Sequence, residues 1–482
     1  MSEMFRVRNP RNGQYDYQFP IVTPGEIAAR ATTLRANSHV WSELPAADRC
    51  AVLVRFAEAV KVERQALIDA LVIDTGRKRE SELEVDSAIG NILRWATRAP
   101  ALLDEPATRE SVVKPMTLTA ASVPVGLVAV ISPWNFPLLL ALIDTIPALA
   151  AGCAVMVKPS EVTPRFVEPL QRAINVVPEL ANVLSFVQGG PATGAAMIDK
   201  ADAVCFTGSV ATGRIIARHC AERLIACFLE LGGKDAVIVL EGADIPRAAR
   251  SVAWGGNANA GQSCLSVERV FVEAPVYQEF ISALAAECNA LKLAYPSLDD
   301  GVVGPLIAER QAETIRAQLN DAYTRGAKAL AGNNVESLGG GLWCKPVVLV
   351  DVKADMKIMT EETFGPVLPV MSVADAEEGI ALANGTEFGL SGAVFGPRER
   401  AIEVAKKMDG GAISINDAAL TAIVHDGEKQ AFKNSGLGPS RMGDGSIARF
   451  RRKRMLIENV TEQHNPWWFP PITEPRMAVS NN

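Results

Sequence analysis

Residues 257–270 read NANAGQSCLSVERV, a cysteine just behind a Gly-Gln pair in a run of small and amide residues, with a strand-like stretch after it. A thiolate is the most nucleophilic ordinary side chain near neutral pH, so Cys264 is a candidate for covalent chemistry as well as for simple packing. Strand ends also carry Glu230, in LELGGK, which read alone is a solvated carboxylate, and Asn135, in SPWNF, which read alone is a turn residue. In FTGSVATG, Gly208 and Ser209 would present backbone N–H groups and a hydroxyl at a helix start, which suits a pyrophosphate. In KPSE, Lys158 and Glu161 could hydrogen-bond a ribose diol. Each of these has a plain alternative when read alone: a tight turn, a solvated strand end or a quiet core thiol.

The elements that must position these residues follow from hydrophobic periodicity. Residues 26–100 carry helical spacing and many charges, which predicts two or more amphipathic helices over a sheet face. Residues 109–124 lose that period and read as an extended ribbon. From GLVAVIS onward, apolar strands alternate with helices: a helix at 137–151, then CAVMVKPS, LSFVQG, AVCFTGS and LIACFLELGG with helices between. That alternation is the signature of a doubly wound parallel sheet, which binds ligands at the carboxyl ends of its strands. A second series from about 235 to 415 includes DAVIVL, RVFVEA, KPVVLVD, GPVLPVMSV, SGAVFG and GAISIN. Two α/β domains with a cleft between them are expected.

Composition removes several function classes. The 482-residue chain carries a formal net charge of −7, which gives no footprint for nucleic acid or an anionic membrane surface. Its eight cysteines are scattered without a CxxC pair and its four histidines are far apart, so no metal site is expected. Such cysteine usage fits a reducing, cytoplasmic setting. The polar N-terminal stretch is not a secretory signal. The apolar region 125–157 is broken by Pro133, Pro137, Pro147 and Gly152 and charged by Asp144, so it reads as strand and buried helix, not as a membrane span. The basic run RFRRKR at 449–454 reads as a solvated helix end.

The motifs PWNF, KPSEVTP, FTGS, ELGGK, GQSC with an Arg five residues on, and EETFGPV occur in this order. Together they closely resemble the aldehyde dehydrogenase superfamily, over nearly the whole chain. The resemblance implies a Rossmann-like parallel-sheet cofactor domain, an α/β catalytic domain and a β-ribbon oligomerisation arm. The corresponding boundaries are 1–107 with 125–232 for the cofactor domain, 233–432 for the catalytic domain, and 108–124 with 433–482 for the bridging segments. It implies oxidation of an aldehyde to its acid with NAD, or with NADP. Cys264 would form the thiohemiacetal and thioester, Asn135 and the Cys264 N–H would hold the oxyanion, and Glu230 would activate the hydrolytic water. Ile131, Ser132, Pro133, Trp134, Lys158, Ser160, Glu161, Gly208, Ser209, Leu231, Gly232, Glu362 and Phe364 would contact the cofactor. The Glu161 carboxylate would repel a 2′-phosphate, favouring NAD. A homodimer or homotetramer is implied.

The superfamily pattern Phe-Gly-Gly-x-Lys-x-Ser-Gly is only partly kept. Here the region reads HDGEKQAFKNSGLGPSRMG: Lys433, Ser435, Gly436 and Gly438 fit and the paired glycines are missing. The loop 417–438 is therefore where the substrate subsite departs most from the pattern. The NPWWFPP segment at 465–471 resembles a subset of bacterial members, some acting on long or apolar aldehydes, and is expected to pack in an oligomer interface. Three other readings compete. A CoA-acylating enzyme would generally lack Glu230. A non-catalytic relative would tend to lose Cys264 or Glu230. A cysteine hydrolase would want a histidine partner that no motif supplies.

Overall fold

The structure, a computed structural model, describes residues 3–461. The segment 465–471 lies outside the described residues. The described residues divide into two compact units, 3–103 with 124–450 and 104–123 with 451–461.

The larger unit holds two mainly parallel sheets. The first has six strands, in the order Gly436–Leu437, Ala226–Glu230, Ala203–Thr207, Leu127–Ile131, Ala154–Lys158, Leu184–Phe186. Its strand pairings are parallel except for the antiparallel edge at Gly436–Leu437. These strands are apolar runs because helices cover both faces, and Val128, Val155 and Val204 are fully buried. The chain adds strands to one side of Leu127–Ile131, then returns to its other side. Strand connections diverge at such a switch point, which leaves a crevice at the carboxyl ends.

The second sheet runs Lys328–Ala331, Val347–Val350, Val367–Val373, Arg269–Glu273, Ala236–Val239, Ser391–Phe395, Ala412–Ile415. Its first strand is antiparallel and the others are parallel. All six strand runs expected between 235 and 415 form here. The periodic region 26–100 becomes part of four helices, Pro24–Glu43, Ala46–Val62, Arg64–Thr75 and Arg79–Leu102. Thr23 and Glu26 close the first of these with a reciprocal capping box.

Two expectations are corrected. The helix expected over 137–151 is two short ones, Pro137–Leu142 and Thr145–Ala150. Pro147 has no N–H to give to residue 143, so the backbone ladder cannot run through. The basic run is not a solvated helix end. Its first arginine, Arg449, is buried and ion-paired with Asp144, and Arg451–Asn459 is a strand.

In the smaller unit, Arg451–Asn459, Met116–Pro124 and Arg109–Glu110 form a three-stranded sheet, in which the ribbon over 109–124 is joined by a nine-residue strand from the C-terminal region. Arg451 pairs with Glu105 at 3.1 Å. Met455, Leu456 and Ile457 are exposed along its strand. Among the described residues no helix is long and apolar enough to cross a membrane, and no group of three His, Cys, Asp or Glu side chains is placed to hold a metal ion.

Candidate active site

Cys264 lies on a loop that local sequence alone would not hold in place. Helix Ile245–Asn257 ends, and Asn259 and Ala260 both take left-handed backbone conformations, at φ 55° and 52°. Such geometry persists only where surroundings over-determine it. Gly261 continues the turn at φ +69°, and a Cβ there would lie 2.2 Å from the Gly365 carbonyl oxygen. Gln262 then fixes the loop with its whole amide. Its Nε2 donates to the Asn259 carbonyl (3.0 Å) and the Pro305 carbonyl (3.2 Å), and its Oε1 accepts from the Ile307 N–H (2.9 Å).

Asn135 meets the same loop from the first sheet. Its Nδ2 donates to the Gln262 carbonyl at 3.0 Å, beside Asn259 Nδ2 at 2.9 Å. That uses one of its two amide hydrogens and leaves the other for an oxyanion. The Asn135 backbone carbonyl accepts from Arg77 at 2.6 Å and from Asn259 at 3.1 Å. Arg77 is itself clamped by Glu84 at 3.2 Å and stacked over Phe136 at 4.4 Å. Glu84 also accepts the Leu138 and Leu139 N–H groups at 2.8 and 3.1 Å, capping the helix that follows Asn135. Burial pushes the Glu84 carboxyl up to about 7, against the pull of Arg77. Sequence reading missed Arg77, Glu84, Asn259 and Gln262 as parts of the site. The amide-rich run before the cysteine was the visible signal for the last two.

On the far side of the thiol, Glu268 ties the cysteine loop to the EETF segment. Its carboxylate accepts from Lys234 Nζ (2.7 Å), from the Thr363 N–H (2.8 Å) and from the Phe364 N–H (2.7 Å). Lys234 also donates to Thr363 Oγ1 at 2.9 Å, and Gln318 Nε2 reaches the Glu362 carbonyl at 3.1 Å. Glu268, Lys234, Thr363 and Gln318 are all buried, and Glu362 is half-buried. Arg269, the Arg of the motif, donates to the Lys234, Leu382 and Ala383 carbonyls.

The charges converge on sulfur. Burial pushes the Cys264 thiol up to about 12; Lys429 pulls it down, while Asp235, Glu230 and Glu362 push it further up. Asp235 and Glu362 are themselves pushed up by burial, to about 7 and about 8. Glu230 ends strand Ala226–Glu230 and is paired there with Gly436, and the Leu231 N–H donates to the Ser435 carbonyl at 2.8 Å. The Ser-Gly part of the altered C-terminal motif therefore supplies the edge strand beside Glu230. Lys433 anchors to the Asn384 and Thr386 carbonyls, and Ser435 Oγ accepts the Gly389 N–H. Asn416 brackets Gly396 with both ends of its amide, a structural role.

The expected cofactor residues lie at the carboxyl ends of the first sheet, except Glu362 and Phe364, which precede strand Val367–Val373 of the second. Trp134 and Phe364, from opposite sheets, meet edge to face at 5.4 Å. Ile131 ends its strand, Pro133 follows it, and Ser132 Oγ is buried without a partner among the described residues. That orphaned hydroxyl at the switch point fits a polar ligand group. Lys158 is buried with its Nζ on Glu161 at 3.0 Å, and Ser160 Oγ accepts the Val162 N–H. Leu231 is buried behind the helix that Ser209 caps. Two details correct the sequence reading. The Gly208 N–H is not free for a phosphate, because it donates to the Glu230 carbonyl at 3.1 Å. The Ser209 hydroxyl accepts the Thr212 N–H as an N-cap, which keeps the helix start ordered. Glu362 sits directly on the glycine pair: the Gly233 N–H donates to it at 3.0 Å, and a Cβ on Gly232 would lie 2.6 Å from both of its oxygens.

Comparison with known proteins agrees with this architecture. The aldehyde dehydrogenase family pattern matches residues 1–455. The structure of the Anabaena variabilis protein PutA, named as a putative aldehyde dehydrogenase, superimposes with a TM-score of 0.95 at 49% identity, over 97% of this chain and 100% of that one. Betaine aldehyde dehydrogenase from Staphylococcus aureus, solved with NAD+, superimposes with a TM-score of 0.90 at 28% identity, over 96% and 93% of the two chains. A 4,4'-diapolycopene aldehyde oxidase from Methylomonas is 33% identical over 96% of this chain and 87% of its own. The fold, the match along almost all of the chain and the thiol-centred cleft lead to one conclusion: the chain belongs to the aldehyde dehydrogenase family.

Proposed function

We propose that this chain oxidises an aldehyde to its carboxylic acid with NAD or NADP, with Cys264 as nucleophile and Glu230 as the base for hydrolysis. The observation that carries the residue roles is the meeting of three distant segments. Asn135 hydrogen-bonds the cysteine loop at Gln262, and the segment after Glu230 reaches the cysteine itself: a Cβ on Gly233 would lie 2.8 Å from the Cys264 carbonyl oxygen. The Cys264 sulfur adds to the aldehyde carbon, and its proton leaves to solvent or base. The resulting alkoxide is held by the second Asn135 amide hydrogen and the Cys264 N–H. Gly232, Glu362 and Phe364 would hold the nicotinamide end of a bound cofactor, which would supply the hydride acceptor. Loss of hydride leaves an acyl thioester on Cys264. Glu230 takes a proton from water as it adds to that thioester, and collapse releases the acid and the thiol.

Ser132, Trp134, Lys158, Glu161 and Ser209 would hold the adenosine and phosphate end, and Gly232, Glu362 and Phe364 the nicotinamide end. The Glu161 carboxylate, already balanced by Lys158, supports a preference for NAD. Division of the larger unit into a cofactor part and a catalytic part at about residue 232 is part of the same proposal. So is assembly into a homo-oligomer through the three-stranded sheet, supported by its exposed Met455, Leu456 and Ile457. Eight free cysteines support a reducing, cytoplasmic location.

Rapid-mixing measurement of NADH formation tests the roles. Cys264→Ala abolishes turnover while NAD still binds. Glu230→Gln gives a burst of NADH followed by a slow phase. Turnover retained in the first variant, or an unchanged steady state in the second, overturns the assignment.

A further inference from the structure

Arg441 and Arg449 reach the same carboxylate, Asp144, inside the protein; the Arg441 contact is 2.7 Å. All three side chains are buried, so two cations face one anion away from water. A buried charge without compensation is strongly unfavourable. Arg449 has a second source of support, the faces of Phe228 and Phe450 at 5.5 and 4.7 Å. Arg441 has none of that kind, and the Nε of each arginine is buried without a hydrogen-bond partner among the described residues. Its other contact is a hydrogen bond to Thr207 Oγ1. Thr207 is paired in register with Glu230 on the neighbouring parallel strand, so the two side chains leave the sheet on the same side.

We propose that Arg441 is a positioning residue for Glu230: acting through Thr207, the positive charge that Asp144 does not balance fixes where the Glu230 carboxylate rests at the end of its strand. This rests on the reading of Glu230 as the hydrolytic base and adds to it. Burial disfavours the Arg441 charge, but Asp144 first and Glu230 next outweigh it and raise its proton affinity. The other charged or titratable groups around the pair are Arg449, Cys205 on the strand between them and Cys264 across the cleft, with Lys429, Asp235 and Glu362 about the thiol.

The test compares Arg441→Gln, which keeps a hydrogen-bonding group for Thr207, with Arg441→Lys, which keeps the charge. Arg441→Met repeats the neutral variant with a different shape. NADH formation is followed by rapid mixing over pH 5 to 9, with Glu230→Gln as the reference. The neutral variants are expected to keep the NADH burst and to lose tenfold or more of the steady-state rate. Arg441→Lys is expected to restore most of that rate. If Glu230→Gln is slow after the burst but the neutral variants keep the wild-type steady-state rate, or if Arg441→Lys is as slow as they are, the Arg441 inference alone falls. It falls equally if the Gln, Met and Lys variants all lose the burst to the same extent, which is the mark of a purely structural arginine. If Glu230→Gln turns over at the wild-type rate, the base assignment itself falls.

Discussion

Glu268→Gln is the perturbation that most directly tests how the cysteine loop and the EETF segment are held together. The Glu268 carboxylate is buried and accepts three contacts, from Lys234 Nζ at 2.7 Å, the Thr363 N–H at 2.8 Å and the Phe364 N–H at 2.7 Å. Glutamine has the same shape but one acceptor oxygen and no charge. With its oxygen at the Oε2 place the amide keeps Lys234 and the Thr363 N–H and turns its NH2 against the Phe364 N–H; in either orientation Lys234 loses its counter-charge. Removing one partner of a buried ion pair costs about 3–5 kcal/mol. The retained hydrogen bond places this case at the lower end, about 3 kcal/mol. If half of that loss appears as looser placement of Glu362 and Phe364, cofactor KM rises about tenfold, since about 1.4 kcal/mol is a factor of ten. Urea unfolding and steady-state kinetics with varied NAD measure the two parts. The double variant Lys234→Met with Glu268→Gln removes both charges and should recover part of the stability, because no uncompensated cation remains. A single variant with the wild-type urea midpoint and wild-type cofactor KM would refute the reasoning.

Further consequences are expected in the same cleft. Gly232→Ala puts a methyl 2.6 Å from both Glu362 oxygens, so the carboxylate must move, and cofactor KM should rise on the order of tenfold with a smaller change in kcat. An unchanged KM would show that Glu362 is not set by this contact. The Cys264 thiol, pushed up to about 12 by burial and three carboxylates, stays protonated well above neutral pH. Its alkylation by iodoacetamide in the cofactor-free protein should rise about tenfold per pH unit from 7 to 10. A plateau below pH 9 would contradict this. Lys429→Met removes the cation that pulls the thiol down and should slow alkylation at every pH in that range, by about threefold or more. Equal rates in the two proteins would remove Lys429 from the site.

What was legible in the sequence is what short-range chemistry writes. Strand ends such as KPSE and FTGS are apolar runs that stop at a polar or small residue, and both the strands and their carboxyl-terminal loops appear where that pattern places them. Cys264, Glu230, Asn135, Glu362 and Phe364 were visible as members of ordered motifs. Other features depend on partners far along the chain. Glu84 and Arg77 lie on or beside helical segments of ordinary charge pattern, and only the fold sets them against Asn135, 58 residues from Arg77. Glu268 reads as a polar residue before a strand until the chain brings Thr363 to it, 95 residues away. The Gly208 N–H looked free because nothing local shows that the Glu230 carbonyl will take it. Arg441 looked like one more residue in a degenerate motif, and Arg449 looked solvated. Both are buried because Asp144, about 300 residues earlier, accepts them in the interior.

The resting state of the thiol follows from this arrangement. Burial first, and Asp235, Glu230 and Glu362 with it, keep the Cys264 thiol protonated at pH 7. The loop is therefore built to hold a neutral thiol in a fixed place, not to hold a thiolate. Gln262 and Asn259 set the place, through hydrogen bonds that do not involve sulfur. The carboxylates around the sulfur then oppose ionisation until positive charge arrives to balance them. Lys429 supplies some of that charge in the protein alone, and an oxidised nicotinamide ring would supply more. An acidic cleft of this kind couples reactivity to occupancy: the nucleophile is weak when the cleft holds no cation and strong when it does. The same carboxylates that suppress the free thiol include the proposed hydrolytic base, so the suppression comes from groups the reaction needs in any case. A cysteine guarded in this way gains protection from stray electrophiles without a lid or a blocking side chain.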